Sequence, residues 1–386
     1  MSAMMVPLGE LCEIASGGTP RRSIIKYWEN GSIPWLKISD LVGKHISAAE
    51  ETITDTGLEN SSAKLFEPGT VLVSIFATIG VASILDIPAT TNQAIAGIKP
   101  FDCTKLSPEY LYYWIIAQKN KMAASGRGVA QNNINLSYLR SMQILLPDME
   151  RQQSIIAIFS KFDKLFESSK GQLQRLDDLV KSRFVEMFGD VDKTPYEIKS
   201  IQECCEKIKD GTHQTPTYVD KEAGGVMFLS SKNVVGGTID WNTIKYIPFD
   251  LHEKLHQRVA PRQGDILLAK NGTTGVCAIV DRDCVFDIYV SLAHIRPLKW
   301  MDSTYMWAAI NADRTKEQFN SRLKGVGVPN LHLGEIKQTM IVVPPLALQQ
   351  EFADFVSQVD KLRFETQQQI EKLETLKKSL MQEYFG

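Results

Sequence analysis

Strongly basic charge is missing from this 386-residue sequence: 43 Lys and Arg stand against 45 Asp and Glu, a net of −2. A protein that held nucleic acid alone by neutralising phosphates would be basic, because counterion release supplies much of such affinity. Either the chain does not bind DNA, or its basic residues are locally clustered and partners supply most of the phosphate clamp. Long apolar runs are also missing; none approaches the roughly 18 to 20 residues of a membrane span, and the N-terminus does not read as a secretory leader. The expected location is the cytoplasm, with no membrane partner. The six cysteines, Cys12, Cys103, Cys204, Cys205, Cys277 and Cys284, contain no C-x-x-C pair. Zinc and a disulfide framework are therefore not expected, and the thiols are read as reduced and buried.

Catalytic motifs are lacking too. There is no G-x-x-x-x-G-K-[S/T] phosphate loop. Pro344-Pro345 follows Val343 rather than the Asp or Asn of an amino-methyltransferase, so it reads as a turn before a helix. Glu335-Ile336-Lys337 fits half of a nuclease motif without the Pro-Asp that should precede it. His252 and His256 form an i, i+4 pair without the Glu of a zinc protease helix, and are read as a solvated surface pair. No catalytic residue and no metal ligand is expected.

What the sequence does contain is itself, twice. Leu8 to Glu13 with Gly18-Thr19 matches Ile201 to Glu206 with Gly211-Thr212 at an offset of 193, and IPWLKISDLVG from Ile33 matches VMFLSSKNVVG from Val226. After a two-residue insertion in the second half, Gly69 to Val73 matches Gly264 to Leu268, and Gly80-Val81 matches Gly275-Val276. From Ile98 and Ile295 onward the offset is 197, and it is read as holding to Phe188-Gly189 and Phe385-Gly386. The globular parts, residues 1–148 and 191–346, alternate β-rich runs (70–76, 81–87, 265–269) with turn residues, and each contains one expected helix, 108–122 and 303–322. The tails, 149–190 and 347–386, carry apolar residues at three-and-four spacing: Ile155, Ile158, Phe162, Leu165, Ser169, Leu173, Leu176, Val180, Phe184, Met187, and Phe352, Phe355, Val359, Leu362, Thr366, Ile370, Leu373, Leu376, Leu380. The expected fold is α+β, two pseudo-two-fold related globular domains separated by a long antiparallel two-helix coiled coil.

Several strings give this plan a family likeness: Leu8-Gly9-Glu10 with Gly17-Gly18-Thr19-Pro20, Ile33 to Lys37 with Asp40-Leu41, Ala77 to Gly80, Thr91-Asn92-Gln93, and Gly128 to Ile134 (GVAQNNI). In this order, and with the paired tails, the chain resembles the specificity subunit of Type I restriction-modification systems over essentially its whole length, with two target-recognition domains and two spacer helices. The second half departs from the pattern, since Asn330-Leu331 lacks the Gln-Asn of the first and 285–291 lacks an Asn-Gln pair. The resemblance implies a protein that reads an interrupted double-stranded DNA site, one half per domain, and bridges two modification (methyltransferase) subunits. Those subunits would carry the S-adenosylmethionine and methylate adenine, with motor-nuclease restriction subunits joining for cleavage; no cofactor is expected in this chain.

Base reading needs Arg or Lys for guanine and Asn or Gln for adenine on loops that reach the major groove. The first domain offers Thr19, Arg21, Arg22, Lys37, Thr78, Asn92, Gln93, Arg127, Gln131 and Asn132. The second offers Thr212, His213, Gln214, Lys232, Asn233, Lys270, Asn271, Thr273, Thr274 and Lys324. The helices would act as a ruler for half-sites about 34 Å apart, and Gln152-Gln153 and Gln349-Gln350 would be free to dock partner subunits. Two other readings stand beside this one: an enzyme that modifies or cuts DNA alone, and a structural coiled-coil adaptor that reads no DNA.

Overall fold

A computed structural model describes residues 4–125, 133–189, 194–272, 274–323 and 330–386. The chain divides into two compact units, one of residues 1–170 with 368–386 and one of residues 171–367. Both chain passages from unit to unit fall inside long helices, Met149–Phe188 and Leu346–Phe385.

The first unit is built on a five-stranded sheet in the order Cys12–Ser16, Ile95–Pro100, Val71–Ser74, Ala82–Leu85, His45–Ile46. Its inner strands Val71–Ser74 and Ala82–Leu85 are buried along their whole length, which explains why the runs 70–76 and 81–87 show no clean apolar–polar alternation. Beside it lies a three-stranded sheet, Glu51–Ile53, Ile33–Leu36, Thr90–Thr91, whose last pair is parallel, Trp35 opposite Thr90. The second unit repeats the plan with a four-stranded sheet, Cys205–Asp210, Leu292–Pro297, Ile266–Ala269, Cys277–Ile279, and a three-stranded one, Lys245–Ile247, Val226–Leu229, Phe286–Ile288. There the parallel pair sets Phe228 opposite Asp287.

Two details of the repeat differ from the sequence alignment. A register shift between Cys205 and Lys207 adds a residue to the first strand of the second unit, so Asp210 faces Ala293 as Ser16 faces Ala96. Gly17, not Gly18, is therefore the counterpart of Gly211. Both need the missing side chain, since a Cβ would sit 2.3 Å from the Thr91 carbonyl oxygen in one unit and 2.0 Å from that of Ile288 in the other. The offset of 197 also fails across the domain helices: the Tyr110 hydroxyl donates to the Leu145 carbonyl at 2.8 Å, and Tyr305 does the same to Val342 at 2.7 Å.

Each expected domain helix is two. The first breaks between Pro108–Ala117 and Lys119–Ser125, at Gln118, whose side-chain amide donates to the carbonyl of Phe385 at 2.7 Å. The second breaks at Ala312, which is extended, between Ser303–Asn311 and Asp313–Ser321. Asp302 caps its N-terminus by accepting from the amides of Thr304 and Tyr305.

The halves of the long helices pair antiparallel within each unit. In the first, Phe159 meets Phe385 with ring centroids 5.6 Å apart, and Lys377 bonds Asp163 at 2.6 Å. In the second, Asp177 bonds Arg363 at 2.6 Å and Phe184 packs on Phe352 at 5.6 Å. The buried seam differs from the expected one at Leu165, Leu362 and Leu376, which are exposed, while Phe159 and Phe166 turn inward. With Phe166 in place of Leu165, the spacing 162, 166, 169, 173, 176, 180 is a strict heptad alternation of four and three. The thiols are all free, as read from sequence, but Cys103 is exposed and Cys205 and Cys284 are half-buried.

Candidate nucleic-acid interface

In the first unit, three loops converge beside strand Ile33–Leu36. The loop after Cys12–Ser16 is tied to the end of Thr90–Thr91 by the Gly18 amide donating to the Thr91 carbonyl at 2.8 Å, and the Trp35 indole donates to the Gly18 carbonyl at 3.0 Å. This framework brings Thr19 to Gln93, hydroxyl to amide oxygen at 2.5 Å. Asn92 is fixed by its backbone N–H, which donates to the Leu36 carbonyl, and by its side-chain oxygen, which accepts from the Ala94 amide. Arg21 and Arg22 are exposed on the same loop, and the Arg22 guanidinium lies 3.6 Å from the Trp28 ring centre and 4.7 Å from that of Trp35. The two indoles meet edge to face at 5.0 Å.

Glu51 joins the basic residues of this cluster. It pairs with Arg22, and at 2.9 Å with Lys37, which also reaches Glu50 at 3.3 Å. The hydrogen bond from Arg22 and then that from Lys37 hold the Glu51 carboxyl below the usual range, while Glu51 and Glu50 push the Lys37 ammonium up. Sequence reading found Arg22 and Lys37 but missed Trp28, Trp35 and Glu51, because pairing across strands leaves no local spacing signal. Thr78 is exposed at a separate turn, 75–80, where Ala77 takes a left-handed φ of 56°. That turn is flanked by Asn133 and Ile134, the latter bonded to the Ile75 carbonyl.

In the second unit, Thr212, His213 and Gln214 occupy the turn after Cys205–Asp210, with the Thr212 amide donating to the Ile288 carbonyl at 3.1 Å. His213 and Gln214 are exposed. Asp210 organises this end: His213 lies 3.2 Å from it, Arg258 2.9 Å and Lys270 3.2 Å. Burial raises the Asp210 carboxyl, but Lys270, His213 and Arg258 outweigh it and the net shift is downward. Lys232 is exposed on the short helix Ser231–Asn233, and Asn271 and Thr274 lie on the turn equivalent to 75–80, with Gly272 at φ 78° where the first unit has Ala77.

Two expected base readers are corrected. Asn233 is buried, its amide oxygen accepting from the Ser230 amide at 2.9 Å, so it caps a helix. Lys270 is buried against Asp210 and has no reach beyond the protein. Arg127, Gln131, Asn132, Thr273 and Lys324 lie outside the described residues. The docking role expected of the glutamine pairs is also corrected in part. Gln152 is buried, donating to the carbonyls of Lys105 (2.7 Å) and Pro147 (3.0 Å) and accepting from the Ser107 amide (2.9 Å). Gln349 is buried alike, accepting from Asp302 (2.8 Å) and donating to Pro344 (2.8 Å). Only Gln153 and Gln350 face outward.

His252 and His256 are not a solvated pair either. His252 is buried, and both Nδ1 atoms point at Asp287, at 2.7 and 3.4 Å.

Comparison with known proteins supplies the context for these loops. The chain resembles the MjaIX specificity subunit of Methanocaldococcus jannaschii, a Type I restriction enzyme subunit, at 26% identity over 96% of this chain and 90% of that one. It also shares its fold with a solved structure on complex assembly and conformational transition of the Type I restriction-modification system, at TM-score 0.63 and 16% identity over 100% of this chain and 97% of that one. The Type I restriction-modification S subunit from M. genitalium superposes at TM-score 0.51 and 14% identity, over 100% and 96%. Among the described residues no helix is long and apolar enough to cross a membrane. The Type I restriction modification DNA specificity domain matches twice, over residues 2–178 and 193–375, and the chain belongs to that family, as a DNA-recognition subunit without catalytic function of its own.

Proposed function

We propose that each unit reads one half of an interrupted double-stranded DNA site, and that the long helices bridge two modification subunits, which supply the S-adenosylmethionine chemistry, with motor-nuclease subunits joining for cleavage in the cytoplasm. The observation that carries this reading is the sharing of one loop framework with different side chains. The same turns follow the same strands in both units, yet Thr19, Arg22, Lys37 and Gln93 occupy one set while His213, Gln214 and Lys232 occupy the other. Two readers of different sequence on one scaffold need this combination of fixed backbone and varied tips.

The near-neutral charge fits a subunit that leaves much of the phosphate contact to its partners. Adenine methylation mapped in host DNA with and without the gene tests the proposal. Deletion should abolish methylation at a single interrupted motif, and exchanging the first domain should alter one half of that motif and spare the other. Persistence of every methylated site after deletion would overturn it.

A further inference from the structure

The second unit contains a cluster that DNA reading does not use. Helix Phe249–Arg258 carries His252 and His256 one turn apart, with ring centroids 4.8 Å apart. Both rings turn an Nδ1 toward the same carboxylate: that of His252 is 2.7 Å from Asp287 Oδ2, and that of His256 is 3.4 Å from Oδ1. One potential ligand atom from each of the three lies within 4.8 Å of the others. The Asp287 side chain is 1% exposed, and among the described residues no Lys or Arg pairs with it.

A buried carboxylate needs a compensating positive charge. One protonated imidazole would supply it, which leaves the second without a purpose, and two imidazolium rings at this separation would repel. The strand itself does not require a charge here. Its counterpart in the first unit is Thr90, also buried, whose hydroxyl simply donates to the Pro34 carbonyl. Arg258, on the same helix, is drawn off by Asp210 at 2.9 Å and does not compete.

Two imidazoles at i, i+4 and a carboxylate from a neighbouring strand satisfy one other kind of partner. We propose that His252, His256 and Asp287 bind a divalent transition-metal ion of the zinc class, with solvent in the fourth position on the side where His256 is partly open. Tetrahedral zinc with bonds of about 2.0 to 2.2 Å sets ligand atoms about 3.3 Å apart, so spacings that reach 4.8 Å would have to close by up to about 1.5 Å, shared between two side chains. Neutral imidazoles and a carboxylate are a borderline donor set that suits Zn²⁺, Co²⁺ or Ni²⁺ over Mg²⁺ or Ca²⁺. The ion would tie helix to strand beside a small cavity that Asp287 lines together with Gly211, Thr212 and Arg258. It would thereby brace the turn that presents His213 and Gln214.

Full-length protein without a purification tag, stripped with chelator and titrated with Co²⁺, tests this without using DNA. The expected result is saturable one-to-one binding with visible d–d absorption and no strong thiolate charge-transfer band, competed by Zn²⁺. His256→Gln, which keeps the buried His252–Asp287 bond and so the fold, should weaken binding about 100-fold, and His213→Gln should not. Zinc should also raise the unfolding temperature of the wild type but not of His256→Gln. No saturable binding at micromolar metal, binding unchanged in His256→Gln, or a thiolate band pointing to the cysteines would each overturn the proposal.

Discussion

The two units solve the same packing problem with opposite chemistry. At the turn that enters the central strand, the first unit has Thr70, whose hydroxyl donates to the Glu67 carbonyl at 2.6 Å. The second has Asp265, whose carboxylate accepts from the Arg262 amide at 2.9 Å and also binds His294 (2.6 Å) and Arg296 (2.8 Å). The position of His294 in the first unit is Gly97, because Phe66 fills the space: a Cβ there would lie 2.4 Å from the ring. On the smaller sheet, Trp35 faces Glu51 across one strand pair and Thr90 across the other, where Phe228 faces Lys245 and Asp287. The fold therefore specifies where strands and turns go, but tolerates either an apolar or an ionic filling at the same points.

The sharpest way to break this contrast is to remove the keystone of each filling. Asp265→Ala should cost about 3 to 5 kcal/mol, because it strands a buried imidazole and guanidinium. Thr70→Ala should cost only about 1 kcal/mol. Chemical denaturation of the two variants measures the difference, and equal losses would show that the ionic network is no more than a local cap.

Acid should separate the units in the same direction. Burial raises the Asp265 carboxyl, but His294 and Arg296 outweigh it and bring it down to about 2. A depressed folded value means that the stabilisation is fully present above the unfolded value near 3.9 and is lost as pH falls through about 2. An acid titration followed by fluorescence should show this loss in the wild type and not in Asp265→Ala.

Where the units agree, effects should match. Gln152→Ala and Gln349→Ala each leave buried backbone groups without partners, and each should cost about 2 to 3 kcal/mol. A large inequality in thermal unfolding would mean that one of the helix starts is held by something else.

The smallest effect on stability is expected at Glu51. It joins exposed or half-exposed side chains, so Glu51→Gln should change stability by less than about 1 kcal/mol. Arg22 and Lys37 would be released, however. Non-sequence-specific DNA affinity should rise several-fold and its salt dependence should steepen by up to about two phosphate contacts. Binding titrations across ionic strength check this, and an unchanged salt slope would place the Arg22 cluster away from DNA.

How far the sequence foretold these differences depends on the range of the interaction. The duplication, the α+β class and the long helices rest on local periodicity and were legible. The one-residue error at Leu165 arose because apolar residues at both 165 and 166 satisfy a three-and-four pattern, and only packing against a partner selects between them. Lys270 looks like a reaching side chain in a polar loop, but Asp210, the acid that holds it, lies 60 positions away. Asn233 is held close by, through the Ser230 amide in a capping turn, which its residue type alone does not distinguish from a reaching loop. A bulge near Glu206 displaced the alignment by one, which hid Asp210 as the counterpart of Ser16. His252 and His256 were placed on the surface because Asp287, the residue that draws them inward, is 31 positions beyond His256.

The buried glutamine at the start of each long helix has a further consequence for how such chains diversify. Gln152 and Gln349 grip main-chain atoms, the carbonyls of Pro147 and Pro344 and the amides of Ser107 and Asp302, rather than side chains. A joint made to backbone is indifferent to the sequence it holds. Recombination that replaces one reading head by another therefore keeps the socket intact, provided the crossover preserves the glutamine, and new specificities can be assembled without redesigning the connection.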